Sequence, residues 1–292
     1  MDAKQLRPIL AILEGARPCA GGYTALCPSH PDKRSSLSIR IGSNGRLLLK
    51  CFAGCSFERI VAALGSPRVA RFNAVPSAPS ADEDLDRRRR IDFARSIWNS
   101  SFPITGPPVE KLQRGRTIIE KYFRSRGITI DAPLTLRVRC SKHPTGPTLP
   151  TLVAAVVNEA DGIVAIHRTF LDDNGKKTKL EPAKAALGPI KGGAVRLAVA
   201  GERLVLCEGI ETGLSVLQAT GLPVWAALGT SNLINIELPN VAREIIIAAD
   251  GDRPGERAAK QAAYRFVREG RHVRIANAER GRDFNDYLMG AT

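Results

Sequence analysis

The sequence predicts an α/β protein. A largely parallel, helix-flanked sheet occupies its C-terminal third, preceded by a basic α+β subdomain and an N-terminal β ribbon. Three observations carry this expectation. From about residue 201, short apolar runs alternate with helical stretches, the pattern of a parallel sheet. Between Tyr23 and Leu64 lie three of the six cysteines and one of the four histidines, around an alternating hairpin. The formal charge of +14 is concentrated ahead of residue 201, whereas 201–292 carry 11 basic and 12 acidic side chains.

A length of 292 residues fits about two domains. No run of about 18 apolar residues is present, so nothing in the sequence reads as a membrane span. The opening "MDAKQLRPILAILEGARP" reads as a short amphipathic helix rather than a signal peptide. Unevenly spaced cysteines without such a leader point to a reducing, cytoplasmic setting, in which clustered cysteines bind metal more often than they form disulfides. The positive charge calls for a polyanionic partner, with phosphate-holding segments feeding a carboxylate site.

Residues 1–65 form the first expected unit. Cys27-x2-His30 and Cys51-x3-Cys55 are two ligand pairs separated by 20 residues, each on a tight turn helped by Pro28 or Gly54. Leu37, Ile39 and Ile41 line one face of a strand, "GSNG" turns the chain, and Leu47–Lys50 return. Thiolate and imidazole ligands suit tetrahedral Zn²⁺, and a structural zinc would replace a core too small to hold the hairpin. The order Cys-His-Cys-Cys, with "SSLSI" and "CFAGC" ahead of the helix "SFERIVAAL", resembles the N-terminal zinc-binding domain of bacterial and phage DNA primases. In that family the module helps choose the template site. The resemblance implies phosphate contacts from Lys33, Arg34, Arg40, Arg46 and Lys50, with Phe52 either stacked on a base or in the core.

Residues 66–84 read as a linker rich in Pro, Ser and Ala. Residues 85–200 read as the basic subdomain. "LDRRRRIDFARSIWNSSF" is helical, with Ile91, Ala94, Ile97 and Trp98 on one face. "PPVEKLQRGRTIIEKYFRSRG" is a second helix with Pro108 near its start and Gly127 at its C-cap. "TLVAAVVNEADGIVAIHRTF" is a hairpin. Cys140-x2-His143 imitates half a metal site and is read as coincidence.

In 201–292, "RLVLCEG", "PVWAAL", "EIIIAAD" and "RHVRIAN" are strands, and "ETGLSVLQATG", "GERAAKQAAYRFVREG" and "RDFNDYLM" are helices. Glu208 and Asp250 end apolar strands, and Asp252 follows two residues later. In parallel sheets such ends form the functional crevice. Converging carboxylates need cations between them, and hard oxygen ligands suit Mg²⁺ or Mn²⁺, which serve phosphoryl or nucleotidyl transfer. This pattern resembles the Toprim domain of bacterial-type primases, topoisomerases and some nucleases. The resemblance makes Glu208, Asp250 and Asp252 the ligands of catalytic divalent metal, with Glu208 a ligand or an acid/base. "GRDFNDYL" resembles the ending of phage and plasmid Toprim primases and adds Asp283, Asn285 and Asp286 as active-site candidates, with Arg282 where Lys is commoner. Glu211 either caps the next helix or reaches the site, and capping is favoured.

The stretch 163–198 resembles the region before Toprim in stand-alone primases of phages, plasmids and integrated elements. The resemblance implies nucleotide or template contacts from Arg168 and Lys184, and a close approach to a triphosphate by Lys191 with Gly192 and Gly193. His167 is a core residue or a nucleotide contact. Val138 and Arg139 stand where that family has an aromatic and a histidine. The whole is expected to be a DNA primase that makes short primers on single-stranded DNA from nucleoside triphosphates. The rivals are a Toprim nuclease and a non-catalytic zinc-ribbon binder. No GxxxxGK[ST] loop is present, so a separate helicase is an expected partner, and no membrane is.

Overall fold

A computed structural model describes residues 2–19, 21–32, 34–42, 47–65, 81–106 and 110–290. Arg46, Lys33, Pro108, most of the "GSNG" turn and linker positions 66–80 lie outside the described residues. The chain divides into two compact units, Met1–Glu83 and Asp84–Thr292.

In the first unit, helix α1 (Asp2–Leu10) precedes a four-stranded antiparallel sheet in the order β1-β2-β3-β4: β1 (Arg17–Cys19), β2 (Gly22–Ala25), β3 (Leu37–Ile41) and β4 (Leu47–Cys51). Helix α2 (Phe57–Leu64) follows. Ser56 caps α2 by accepting from the Arg59 N–H, and Gly65 closes it in the left-handed region. Leu37 and Ile39 are fully buried and meet Leu6 and Ile9 of α1 and Ile60 of α2. The alternation in β3 and β4 therefore has an inner face, as the sequence indicates. Leu48, Lys50 and Arg40 point out, since Arg40 pairs with Leu48 and Ser38 with Lys50.

Helix α3 (Ala81–Asn99) starts just ahead of the boundary between the units and carries the chain into the second; it takes in the acidic end of the expected linker. Acids at 82–84 sit in its first turn, where the helix dipole favours them. Strand β5 (Phe102–Pro103) and helix α4 (Glu110–Arg124) follow. A five-stranded antiparallel sheet is then completed by β6 (Leu136–Lys142), β7 (Thr148–Asn158), β8 (Gly162–Phe170) and β9 (Lys184–Leu187), in sequential order. The expected hairpin is β7–β8. Its two faces are covered differently. Ala94 and Trp98 of α3 pack on Val153, Ala155 and Ile166, whereas Ile118 and Ile119 of α4 share a core with Leu152, Ala154 and Val156. Helices α3 and α4 thus lie on opposite sides of this sheet.

The third sheet has the order β10-β12-β11-β13-β14, from β10 (Val195–Arg196), β11 (Arg203–Cys207), β12 (Val224–Ala226), β13 (Glu244–Ala249) and β14 (His272–Asn277). All its pairings are parallel except β10–β12. The antiparallel edge strand β10 precedes the expected boundary at 200/201 yet belongs to this sheet. Helices α5 (Ile210–Thr220), α6 (Thr230–Leu233), α7 (Arg253–Arg268) and α8 (Phe284–Leu288) complete the unit. Gly221 ends α5 in the left-handed region, as its position suggests. Among the described residues no helix is long and apolar enough to cross a membrane.

Candidate active site and metal centre

In the ribbon, one ligand atom each from Cys27, His30, Cys51 and Cys55 lie within 4.8 Å of one another. The His30 Nδ1 is 3.3 Å from the Cys55 sulfur and 4.0 Å from that of Cys51. A tetrahedral zinc with bonds of about 2.0–2.3 Å spaces its ligands similarly, so the cluster fits one ion. The surroundings are prepared for it. Asp32 Oδ1 stands 3.8 Å from His30 Nε2, where an outer carboxylate would orient the imidazole toward a metal on Nδ1. Its Oδ2 accepts from the Cys27 N–H and the Ser36 hydroxyl, and these bonds hold the carboxyl down at about 2. Burial pushes the Cys51 thiol up, but hydrogen bonds from the Cys55 backbone, the Ser36 hydroxyl and the Ala53 backbone outweigh it and bring it to about 6. Gly54, at φ +93°, donates to the Cys51 carbonyl and makes the Cys51–Cys55 turn. Arg34, Arg40 and Lys50 are exposed. Phe52 is 70% exposed with Lys50 Nζ 5.4 Å from its ring, which removes the core alternative for this residue.

In the second unit, Glu208 follows β11 and Asp250 follows β13, and these strands pair in parallel with Cys207 beside Ala248. Both acids therefore leave the sheet at the same edge. Strand β12 continues into a loop whose Leu228 N–H donates to the Glu208 carbonyl at 2.8 Å. The Asp250–Asp252 turn is tied to the segment before α8: Gly251 donates to the Arg282 carbonyl and accepts from Gly281, both at 2.8 Å. A Cβ on Gly251 would fall 1.8 Å from the Glu279 carbonyl oxygen, so only glycine fits between the acids. Asp252 caps α7, accepting from the Gly255 N–H at 2.7 Å. A Cβ on Gly255 would be 3.0 Å from both Glu208 Oε1 and Asp252 Oδ1, so these oxygens are at most twice that distance apart.

Burial, then the charges of Asp250 and Asp252, raise the Glu208 carboxyl to about 7. Burial, then Asp283, Asp252 and Asp286, raise that of Asp250 to about 6. Glu208 Oε1 and Asp250 Oδ1 are buried without a hydrogen-bond partner. Oxygens left in this state are costly unless a cation completes them, and their hard donor character fits Mg²⁺ or Mn²⁺.

Asp283 caps α8 and forms a reciprocal capping box with Asp286, and both charges act on Asp250. Asn285 is 1% exposed and turned elsewhere, donating to the Arg126 carbonyl and to Ser215 Oγ. Its place is to fasten α8 to α5 and to the end of α4.

Glu211 is not the helix cap that its position suggests. Gly209 occupies that place without a side-chain bond. The Glu211 carboxylate instead lies 2.9 Å from the ammonium groups of both Lys177 and Lys184 and accepts from the Tyr122 hydroxyl. The lysines outweigh burial and hold it far below the usual carboxylate range. Sequence reasoning passes over Lys177 and Tyr122. Each is ordinary within its own segment, and the tight packing of Gly175 on Lys121 and Tyr122 is what brings them together. His167 faces the same cluster, and burial followed by Lys184 lowers it to about 4, which keeps it neutral. Arg168 does not join Lys184: Arg168 pairs with Ala185 and Thr169 with Lys184, so the two project to opposite faces of the sheet. Lys191 is exposed beside Gly192, whose loop is pinned by buried Asn232 through bonds to Gly192 N and Gly193 O. His143 uses its ring nitrogens on Thr145 and the Pro182 carbonyl rather than with Cys140.

Residues 203–291 match the family described as Toprim domain, and residues 88–197 match a domain of unknown function (DUF7146). None of the curated proteins compared matches the chain. Solved structures that the chain is similar to include the zinc-binding and RNA polymerase domains of Aquifex aeolicus primase, 16% identical with a TM-score of 0.39, covering 98% of this chain and 79% of that one. Others are a DNA primase domain from Pseudomonas aeruginosa, 15% identical, TM-score 0.36, covering 75% and 70%, and the RNA polymerase domain of Mycobacterium tuberculosis primase DnaG, 18% identical, TM-score 0.36, covering 80% of each chain. The parallel sheet, the strand-end glutamate and the Asp-Gly-Asp turn all lie within residues 203–291, the part of this chain that is similar to the Toprim domain.

Proposed function

We propose that the chain is a DNA primase, a nucleotidyltransferase that makes short primers on single-stranded DNA with divalent metal. The observation that carries this reading is the pair of buried, unpartnered oxygens on Glu208 and Asp250, at neighbouring strand ends within a Toprim domain. Glu208, Asp250 and Asp252 would hold Mg²⁺ or Mn²⁺. A cation held there would neutralise charge on the phosphates while a 3′-hydroxyl attacks the next α-phosphate, the bond to pyrophosphate breaks with pyrophosphate leaving, and the hydroxyl proton passes to solvent. Asp283 and Asp286 keep the surrounding field negative, so that the site takes cations before nucleotides. Lys191 offers an ammonium to a triphosphate from a glycine loop, and Lys184 and Arg168 add positive charge on the two faces of the middle sheet. Zinc held by Cys27, His30, Cys51 and Cys55 would make the ribbon rigid. Arg34, Arg46, Lys50 and Phe52 would then hold template phosphates and one base. A separate replicative helicase is the expected partner.

The test is incubation with single-stranded DNA, labelled nucleotides and Mg²⁺ or Mn²⁺, beside Asp250→Asn. Short products that vanish in the variant are expected. Metal-dependent shortening of the DNA without products would transfer the assignment to a nuclease. Binding that is unchanged when Glu208, Asp250 and Asp252 are all neutralised, with no activity in the native chain even beside a helicase, would leave a nucleic-acid binder.

A further inference from the structure

Helix α7 has five basic residues and one acid, Glu256, a net charge of +4, inside a region whose total is near neutral. Its buried face is Gly255, Ala258, Ala259, Ala262 and Phe266. On the opposite face Arg253, Arg257, Lys260, Tyr264 and Arg268 follow one another at steps of four, three, four and four residues, so they form one stripe. All five are exposed. Among the described residues, none of the four cations in the stripe has a carboxylate partner, whereas Arg265, off the stripe, is paired with Glu269. Tyr264 is 68% exposed, and the Arg268 guanidinium lies 5.8 Å from its ring. A tyrosine is not required there for the core, which the alanines and Phe266 already fill.

We infer that this face is a binding track for single-stranded nucleic acid, with phosphates on Arg253, Arg257, Lys260 and Arg268 and a base stacked on Tyr264. Unpaired cations along about 22 Å of helix match a polyanion. One aromatic face between them matches an unpaired base, which an acidic peptide or a lipid surface does not supply. A helix lying on a membrane would offer an apolar face, and the apolar face of α7 is turned into the protein. The N-cap of α7 is Asp252, so the track starts at the carboxylates. The choice of nucleic acid as the polyanion rests on the proposed function, whereas the stripe itself does not.

The experiment is fluorescence anisotropy of the full chain with a labelled oligothymidylate of about 20 nucleotides, longer than one single-strand site, across a salt series without added divalent cation. The combined variant Arg257→Gln, Lys260→Gln, Arg268→Gln is expected to bind at least about tenfold more weakly and to lower the slope of log affinity against log salt by about 2, close to 0.7 for each lost contact. Tyr264→Ala is expected to weaken binding by about 5- to 100-fold without changing the slope, and Tyr264→Phe to keep it. Thermal melts confirm that these exposed substitutions leave the fold intact. Unchanged affinity and slope in the combined variant, no binding by the native chain, or a loss confined to anionic phosphatidylserine vesicles would each overturn the track. Primer synthesis that persists with unchanged oligonucleotide binding would overturn the track alone. Absent synthesis with the expected binding pattern would overturn only the reading of the carboxylates.

Discussion

Gly255 keeps open the space where the carboxylates meet. It lies in helix α7, outside the left-handed region, so alanine costs nothing in backbone conformation and adds helix propensity of up to about 1 kcal/mol. The same methyl would stand 3.0 Å from Glu208 Oε1, Asp252 Oδ1 and the Asp250 carbonyl. Gly255→Ala is therefore expected to retain or raise the melting temperature while weakening Mg²⁺ or Mn²⁺ binding at least about tenfold, read by titration calorimetry, in line with the sensitivity of metal sites to their supporting shell. Glu208 and Asp250 also set a pH dependence. Their folded values, about 7 and about 6, lie above the ordinary 4.5 and 3.8. A raised value gives stability that is complete below the ordinary value and is lost as pH rises through the folded one. The metal-free protein should melt at a lower temperature at pH 8 than at pH 5, Mg²⁺ should restore the difference, and Glu208→Gln should flatten it. Binding of Mg²⁺ near pH 6.5 should release protons, seen as a buffer-dependent calorimetric heat. Because neutral His167 acts in the opposite sense over the same pH range, the decisive comparison is with Glu208→Gln: the same pH dependence of melting in the variant and the native chain would refute this reading.

At the scale of elements, the Glu211 cluster joins three pieces: α4 through Tyr122, the segment between β8 and β9 through Lys177 together with Lys184 of β9, and α5 through Glu211 itself. Glu211 stands three residues after Glu208, so the cluster fixes the start of α5 against the middle sheet. Removing one partner from a buried charge group leaves the other uncompensated, at a cost of about 3–5 kcal/mol. Glu211→Gln should lower the melting temperature clearly, and the double variant Glu211→Gln, Lys177→Met should recover part of the loss. Recovery that fails to appear in these melts would mean that the lysine is not held by this carboxylate. From β11 onward the four strands and three of the four helices were legible, because they keep their period and glycines punctuate them, as in "ETGLSVLQATG"; the four-residue α6 is too short to show a period and was missed. The middle sheet was only partly legible. The alternation of β6, Leu136 and Val138 in with Arg137 and Arg139 half-out, spans few residues, and its arginines are held by carbonyls of Trp98 and Ser100 that are distant in sequence.

On the scale of the whole molecule, two units with separate cores, one of them carrying the four candidate metal ligands, are expected to melt separately. Metal chelation should abolish one transition by unfolding Met1–Glu83 and leave that of Asp84–Thr292 in place, because a small metallo-domain takes its folding free energy from the ion. A single transition lost as a whole on chelation, followed by circular dichroism and limited proteolysis, would contradict this. The total near neutrality of residues 201–292 is a sum over acids gathered at the strand ends and cations gathered on the outer face of α7, which only a folded helix separates.

The sequence by itself singled out Cys27, His30, Cys51 and Cys55 as one cluster able to hold a metal, the parallel strand–helix alternation, and the strand-end positions of Glu208 and Asp250 with Asp252 beside them. Each of these rests on local spacing: a turn that pairs two ligands, a strand end that presents an acid. The tertiary structure alone decided the partners of Glu211, the opposite faces taken by Arg168 and Lys184, and the turning of Asn285 away from the acids. These depend on strand register and on packing between segments tens of residues apart, and a side chain's neighbours across a sheet or a helix pair are not written in its own stretch of chain.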